Sequence, residues 1–333
     1  MRGVNVLKPK IFVTQLIPDT VKVYLENYFT VEIWEQQEII PRETLYKKIQ
    51  ESEGLLTAGI EINQELLSQA INLKVVSNIS VGYNNFDIEV MKENGIIGTN
   101  TQGVLDETVT DLIFGLMLST ARRINELDTY MRNGEWTSGD DRNLFGMDVY
   151  GQTLGIIGLG RIGESIVHRA VSGFNMDVLY HNRSRKTELE KQWGVQYEQM
   201  EDVLTKSDFV IVMTPLNKDT FHLIGKKQFE LMKDTAIFIN ASRGPIVDEL
   251  ALIDALDKKK IFAAGLDVFE QEPINSTNPL LKLNNVVLTP HIGSATDKTR
   301  EEMAQLAAEN LVNAIIHKKH SNVVNELKTI VKI

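Results

Sequence analysis

Gly158-Leu159-Gly160-Arg161-Ile162-Gly163 stands between the apolar run Leu154-Gly-Ile-Ile157 and a helix-like stretch from Glu164 to Ser172. No other segment restricts the fold so tightly. The first glycine permits a tight strand-to-helix turn, and the second lets backbone N–H groups approach a pyrophosphate. The third lets the helix pack closely on the sheet, with its N-terminus facing the phosphate charge. An isolated G-x-G-x-x-G carries little information, but in this strand–helix setting it marks a dinucleotide site. The motif begins only at residue 158, so a domain's length of chain precedes it.

A chain of 333 residues has room for two domains, each with its own core. The formal net charge of −10 disfavours nucleic acid or an acidic membrane as partner, because the mean field repels phosphate. Any phosphate site must be built locally from glycines and a few arginines. Cysteine is absent, which removes a disulfide framework, a thiolate zinc site and a thiol nucleophile; no metal site is expected. Met1 to Lys8 holds no apolar core of signal-peptide length, and the apolar stretch Leu112–Ala121 is too short to span a bilayer. The expectation is a cytoplasmic protein.

From Ile11 the chain alternates short β-branched runs with helical patterns. Strand-like segments at Ile11–Thr14, Val31–Trp34, Gly54–Ala58, Lys74–Ser77 and Ile96–Thr99 are separated by helical ones at Asp19–Phe29, Pro41–Glu51, Asn63–Ala70 and Ile88–Asn94. A second series has strands at Leu154–Ile157, Asp177–Tyr180, Phe209–Met213, Ala236–Asn240, Ala263–Leu266 and Val286–Leu288. Such a β-α rhythm predicts an α/β protein with two doubly wound parallel-sheet domains and a cleft between them. Asp106 or Thr108 is expected to cap a long helix running toward Arg123. The amphipathic stretch Thr296–Lys318 is expected to return to the first domain. The predicted division is residues 1–103 with 296–333 as a discontinuous substrate-binding domain, and 104–295 as the coenzyme domain.

In a dinucleotide fold an Asp or Glu at the end of the second strand reads the ribose of NAD. Here Val178-Leu-Tyr-His-Asn182 runs instead into Arg183-Ser184-Arg185-Lys186, and Asp177 lies at the other end of the strand. Arg183 and Arg185 suit a 2′-phosphate, with Ser184 as a hydrogen-bond donor. NADP(H) is therefore the expected coenzyme, with NAD(H) also accommodated. Thr214, Pro215 and Thr220 follow the strand Phe209–Met213 and are further coenzyme contacts.

Three segments at strand ends carry candidate chemistry. Ala241-Ser-Arg243 follows one strand, Asp267-Val-Phe-Glu-Gln-Glu272-Pro273 another, and Thr289-Pro-His291-Ile-Gly293 a third. A cation, a carboxylate and an imidazole thus meet at one sheet edge, beside coenzyme-lining Ala241 and Gly293. The set suits hydride transfer between a nicotinamide and a small 2-keto or 2-hydroxy acid. Arg243 would hold the substrate carboxylate with its planar fork. His291 would donate a proton to the keto oxygen. Glu272 would favour the charged imidazole and orient it. Asp267 would accept from the nicotinamide carboxamide. His168 is placed on the helix after the glycine motif and His317 and His320 at an exposed helix end, while His181 and His222 have no assignable acid partner.

Gly158–Gly163, Asn240–Asp248, Gly265–Pro273 and Pro290–Arg300 closely resemble the D-isomer-specific 2-hydroxyacid dehydrogenases, and the likeness runs over nearly the whole chain. The resemblance implies a flavodoxin-like substrate domain, a Rossmann coenzyme domain, and Arg243, Glu272 and His291 as the catalytic residues. Gly103–Asp111, Gly134–Trp136 and Phe145–Val149 resemble the glyoxylate/hydroxypyruvate reductase branch, most of all its bacterial 2-ketogluconate reductases. That branch implies NADPH, a carboxylate site at the Val81-Gly82 backbone that Arg243 and His291 complete, and a homodimer formed partly by the helix from Leu105. Asp106 departs from the frequent Thr. Glu272 speaks against formate oxidation, where Gln is usual. Phosphoglycerate dehydrogenase fits less well without an acidic ribose partner, and a nucleotide-sensing corepressor less well when all three catalytic residues are kept.

Overall fold

A computed structural model describes residues 8–36, 38–137, 139 and 142–331 of the chain. Residues 1–7, where no signal-peptide core is expected, fall outside the described residues. The chain divides into two compact units, Met1–Leu105 with Ala295–Ile333, and Asp106–Ser294.

The first unit is built from β1 (Lys10–Val13), α1 (Asp19–Glu26), β2 (Thr30–Ile33), α2 (Arg42–Gln50), β3 (Gly54–Thr57), α3 (Gln64–Gln69), β4 (Val75–Asn78), α4 (Ile88–Glu93) and β5 (Ile97–Thr99). All neighbouring strands pair in parallel, in the order β2-β1-β3-β4-β5. This is the flavodoxin-like order of a doubly wound sheet. Every residue of β3 and β4 is buried, as expected of strands covered by helices on both faces.

The second unit opens with α5 (Asp106–Ala121) and α6 (Ile124–Arg132). The long helix expected to run toward Arg123 is α5, which stops at Ala121, just before Arg123 takes a left-handed φ of 56°. Asp106 is itself the first residue of α5, and Thr108 lies inside its first turn. Then follow β6 (Thr153–Ile157), α7 (Arg161–Phe174), β7 (Asp177–His181), α8 (Thr187–Trp193), β8 (Gln196–Tyr197), α9 (Met200–Lys206), β9 (Phe209–Val212), α10 (Lys226–Leu231), β10 (Ile237–Asn240), α11 (Glu249–Asp257), β11 (Ala263–Leu266) and β12 (Val286–Leu288). The seven-stranded sheet is ordered β12-β11-β10-β9-β6-β7-β8, again with parallel pairing throughout. Its order reverses between β6 and β9, the place where a Rossmann sheet opens toward a ligand. β8, two residues long, is too short to leave a period-2 signature in the sequence.

The last long helix, α12 (Asp297–Val312), belongs to the first unit and packs against β3 and β4. The Thr296 hydroxyl caps it by accepting the Thr299 N–H at 3.3 Å. At Asn313–His317 the helix continues as a π-helix, which Lys318, the expected end, caps with a left-handed backbone. No helix among the described residues is long and apolar enough to cross a membrane.

Candidate active site

Arg243, Glu272 and His291 all lie in the second unit, each just beyond the carboxyl end of a strand: β10, β11 and β12. Adjacent strands in that order bring the three turns to one edge of the sheet. The His291 Nδ1 is 2.6 Å from Glu272 Oε2, and the other Glu272 oxygen accepts the Phe269 N–H at 3.0 Å. Burial raises the Glu272 pKa, but the bonds from His291 and Phe269 outweigh it, and the carboxyl is held below its ordinary value. The imidazole itself remains half exposed, with Nε2 left for chemistry.

The backbone of His291 is left-handed, with φ 53°, a conformation costing roughly 1–2 kcal/mol for an ordinary residue. Asp267 holds it there. His291 N–H donates to the Asp267 carbonyl at 2.9 Å, and the buried Asp267 carboxylate accepts from Ile292 N–H at 2.8 Å, Gly293 N–H at 2.9 Å and Thr289 Oγ1 at 2.6 Å. Asp267, expected to read the coenzyme carboxamide, is thus also the anchor of the histidine turn. Sequence reasoning missed this because the donors lie more than twenty residues away.

Arg243 starts a turn in which Asn240 Nδ2 donates to its carbonyl at 3.1 Å and its own Nη1 donates to the Ser242 carbonyl at 2.6 Å. Burial pushes the guanidinium pKa down while the Glu272 carboxylate pushes it up, with a net lowering. Gly244 follows because no side chain fits there. A Cβ on it would lie 1.8 Å from the Phe269 carbonyl oxygen, so the Arg243 and Glu272 turns touch through bare backbone.

At the glycine loop, Gly158 has φ 98°, and a Cβ there would meet the Thr214 nitrogen at 2.8 Å. Gly160 is the N-cap of α7 with no side-chain cap, and a Cβ on it would project into open space. The helix N-terminus is therefore open, with Ile162 in its first turn and Gly163 packed under the Leu159 side chain. Arg161 Nε lies 3.3 Å from Asp106 Oδ2. The Thr214 hydroxyl beside the loop is buried without a partner among the described residues. Thr220, by contrast, spends its hydroxyl on the Pro215 carbonyl at 2.6 Å, closing a local turn.

Beyond β7, Asn182 donates to the carbonyls of Ser184 at 3.1 Å and Leu159 at 3.4 Å, tying this turn to the glycine loop. Arg183 and Ser184 are exposed. Arg185, expected to share the phosphate, is instead committed to Glu190 by two 2.7 Å bonds. His222, for which no acid partner was assignable, has one in Glu270 at 2.7 Å. His317 is exposed as expected, whereas His320 is half-buried.

In the first unit, the Thr101 N–H donates to the Ser80 carbonyl at 3.0 Å and Asn100 Nδ2 to the Val81 carbonyl at 2.7 Å. Asn78 Nδ2 takes the Gly82 carbonyl at 2.9 Å. A trans peptide sets N–H opposite to C=O. The Val81 and Gly82 N–H groups therefore point away from the Asn100–Thr101 segment, and neither finds an acceptor among the described residues.

Comparison with known proteins follows the same lines. The model of the D-isomer specific 2-hydroxyacid dehydrogenase NAD-binding domain matches residues 114–293. A glyoxylate reductase of Pyrococcus horikoshii is 47% identical over 311 residues, 92% of each chain. Glyoxylate/hydroxypyruvate reductase B of Enterobacter sp. (strain 638) is 44% identical over 322 residues, 96% of this chain and 98% of that one. An NADPH-dependent glyoxylate/hydroxypyruvate reductase of Sinorhizobium meliloti, solved with NADP and malonate, superimposes with a TM-score of 0.85 at 30% identity, over 96% of this chain and 98% of that one.

Proposed function

This chain belongs to the D-isomer-specific 2-hydroxyacid dehydrogenase family, and from that premise we propose that it is an NADPH-dependent reductase of small 2-keto acids. Glyoxylate, hydroxypyruvate and 2-ketogluconate are the proposed substrates, each reduced to the D-2-hydroxy acid. The observation that carries the reading is the 2.6 Å His291–Glu272 pair on the sheet edge that also presents Arg243.

The residues present fit a nicotinamide dinucleotide. Open space above Gly160, an uncapped α7 and the unpartnered Thr214 hydroxyl suit a pyrophosphate and its sugars. Leu159, Arg161, Ile162, Pro215, Ala241 and Gly293 complete the proposed lining, with Arg183 and Ser184 for the 2′-phosphate. When bound, the reduced coenzyme supplies the hydride for C2 of the keto acid.

The chain's own residues do the rest. The Arg243 fork binds the substrate carboxylate and so orients the adjacent carbonyl, and the Val81 and Gly82 N–H groups of the first unit are proposed as carboxylate donors in their own right. His291, protonated and aligned through Nδ1 by Glu272, donates from Nε2 to the keto oxygen as it gains negative charge. Glu272, its carboxyl held below its ordinary value, sets the ring's orientation through Nδ1. A homodimer formed partly by α5, the helix that follows Leu105, and a cytoplasmic setting complete the proposal.

The test is NADPH oxidation by the purified protein with glyoxylate, hydroxypyruvate, 2-ketogluconate and 3-phosphohydroxypyruvate, with chiral analysis of the product. Turnover of one of the first three to a D-product is expected. No turnover of any of the three would sink the reading, and preference for the phosphorylated acid would replace it.

A further inference from the structure

Tyr180 is a wholly buried tyrosine on β7 whose hydroxyl the chemistry above does not use. It donates to Glu190 Oε1 at 2.7 Å and accepts the Lys186 N–H at 2.7 Å. Glu190, on α8, also takes both arms of Arg185, through Nε on Oε1 and Nη2 on Oε2. The Arg185 guanidinium in turn lies over the Tyr197 ring, 5.9 Å from its centroid. One hydroxyl from β7 and one carboxylate from α8 thus hold residues 185 and 186. Asn182 secures the other end of the turn.

We propose that Tyr180 and Glu190 are positioning residues for coenzyme choice, clamping Arg185 and the Lys186 amide so that the turn presents Arg183 and Ser184 alone to a 2′-phosphate. The proposal rests on the NADPH reading above. Two physical consequences of the clamp point the same way. An ordered turn saves the conformational entropy that a mobile arginine pair would lose on binding phosphate. Glu190, the acid whose carboxylate bonds back to the turn, has its charge offset by Arg185 and its oxygens occupied, so it does not act as a free carboxylate that would repel the phosphate. Arg185 is thereby a neutralising partner of Glu190 and not a second phosphate ligand.

The experiment measures dissociation constants of NADPH and NADH by quenching of intrinsic fluorescence, at low and at moderate salt. It compares the parent protein with Tyr180→Phe, Glu190→Gln and Arg183→Ala. Tyr180→Phe keeps the ring and every charge and removes only the hydroxyl. It should shift the NADPH-to-NADH ratio toward NADH about fivefold, the weight of one or two hydrogen bonds, with the salt dependence of NADPH binding kept. Glu190→Gln should move the ratio in the same direction and provides a second reading if the buried change impairs folding. Arg183→Ala should shift the ratio and also flatten the salt dependence, because it removes a charge that faces the phosphate. A selective loss in Arg183→Ala with unchanged ratios in Tyr180→Phe and Glu190→Gln overturns the clamp alone. Equal losses of both coenzymes in Arg183→Ala overturn the NADPH reading and the clamp with it.

Discussion

His291 Nδ1 stands 2.6 Å from Glu272 Oε2, although the two residues are nineteen positions apart and leave different strands. The bond consumes one ring nitrogen and leaves the other free. It also sets a partly buried carboxylate directly against the ring and fixes the ring's orientation.

Replacing His291 with Gln removes the proton donor while keeping a polar side chain. Turnover with the preferred keto acid should fall about 10²- to 10⁴-fold, the range for loss of a positioned acid. The NADPH dissociation constant, followed by fluorescence, should stay within about twofold of the parent, since coenzyme contacts are made by other turns. Unchanged turnover would remove His291 from the mechanism.

Glu272→Gln should act through charge. The folded-state pKa of Glu272 is depressed, so its contribution to stability is present above its unfolded value and is lost as pH falls through the folded one. From the ordinary value of 4.5 downward, the parent should lose melting temperature faster than the variant. Parallel melting curves over that window would contradict the assignment. Activity should fall at neutral pH because the imidazolium loses its counter-charge.

Gly244→Ala tests the contact between the Arg243 and Glu272 turns. The added methyl would lie 1.8 Å from a backbone oxygen, which no rotamer can relieve. Overpacking of this kind costs about 1–3 kcal/mol, and the melting temperature should drop accordingly. Turnover should fall as well, since Arg243 and Glu272 cannot both keep their places. A variant with parental stability and activity would show that the two turns are independent.

Asn100→Ala should release the Val81 carbonyl and with it the orientation of the Gly82 N–H. KM for glyoxylate should rise about tenfold with the coenzyme dissociation constant unchanged, as expected for one hydrogen bond to a charged group. A KM within twofold of the parent would remove Asn100 from this role.

The two sheets and most of their strands were legible in the sequence, because buried parallel strands read as short apolar runs between helical patterns. The exceptions are instructive. β8 holds only Gln196 and Tyr197, too few residues for any periodicity, and α6 resumes directly after a left-handed Arg123, a restart that an arginine does not announce. Arg243, Glu272 and His291 were legible as strand-end residues of suitable chemistry. Asp267 holding the histidine turn and Glu270 meeting His222 were not, since each depends on which distant atoms come within 3 Å, and Glu190 claiming Arg185 depends on how α8 starts after the turn.

Sequence alone determined that this protein would be doubly wound, with a glycine turn at residue 158 and three reactive side chains at strand ends. Local pattern carries that information, because apolar period, turn chemistry and side-chain type are properties of short segments. Tertiary structure alone decided which charges are spent within the protein and which face outward. Arg183 and Arg185 stand two residues apart with the same side chain, and only the folded chain, which brings Glu190 under the Tyr180 hydroxyl, commits Arg185 to an ion pair while Arg183 makes none among the described residues. Hydrogen bonds act over about 3 Å whatever the separation along the chain, so their partners are settled only when the chain has folded.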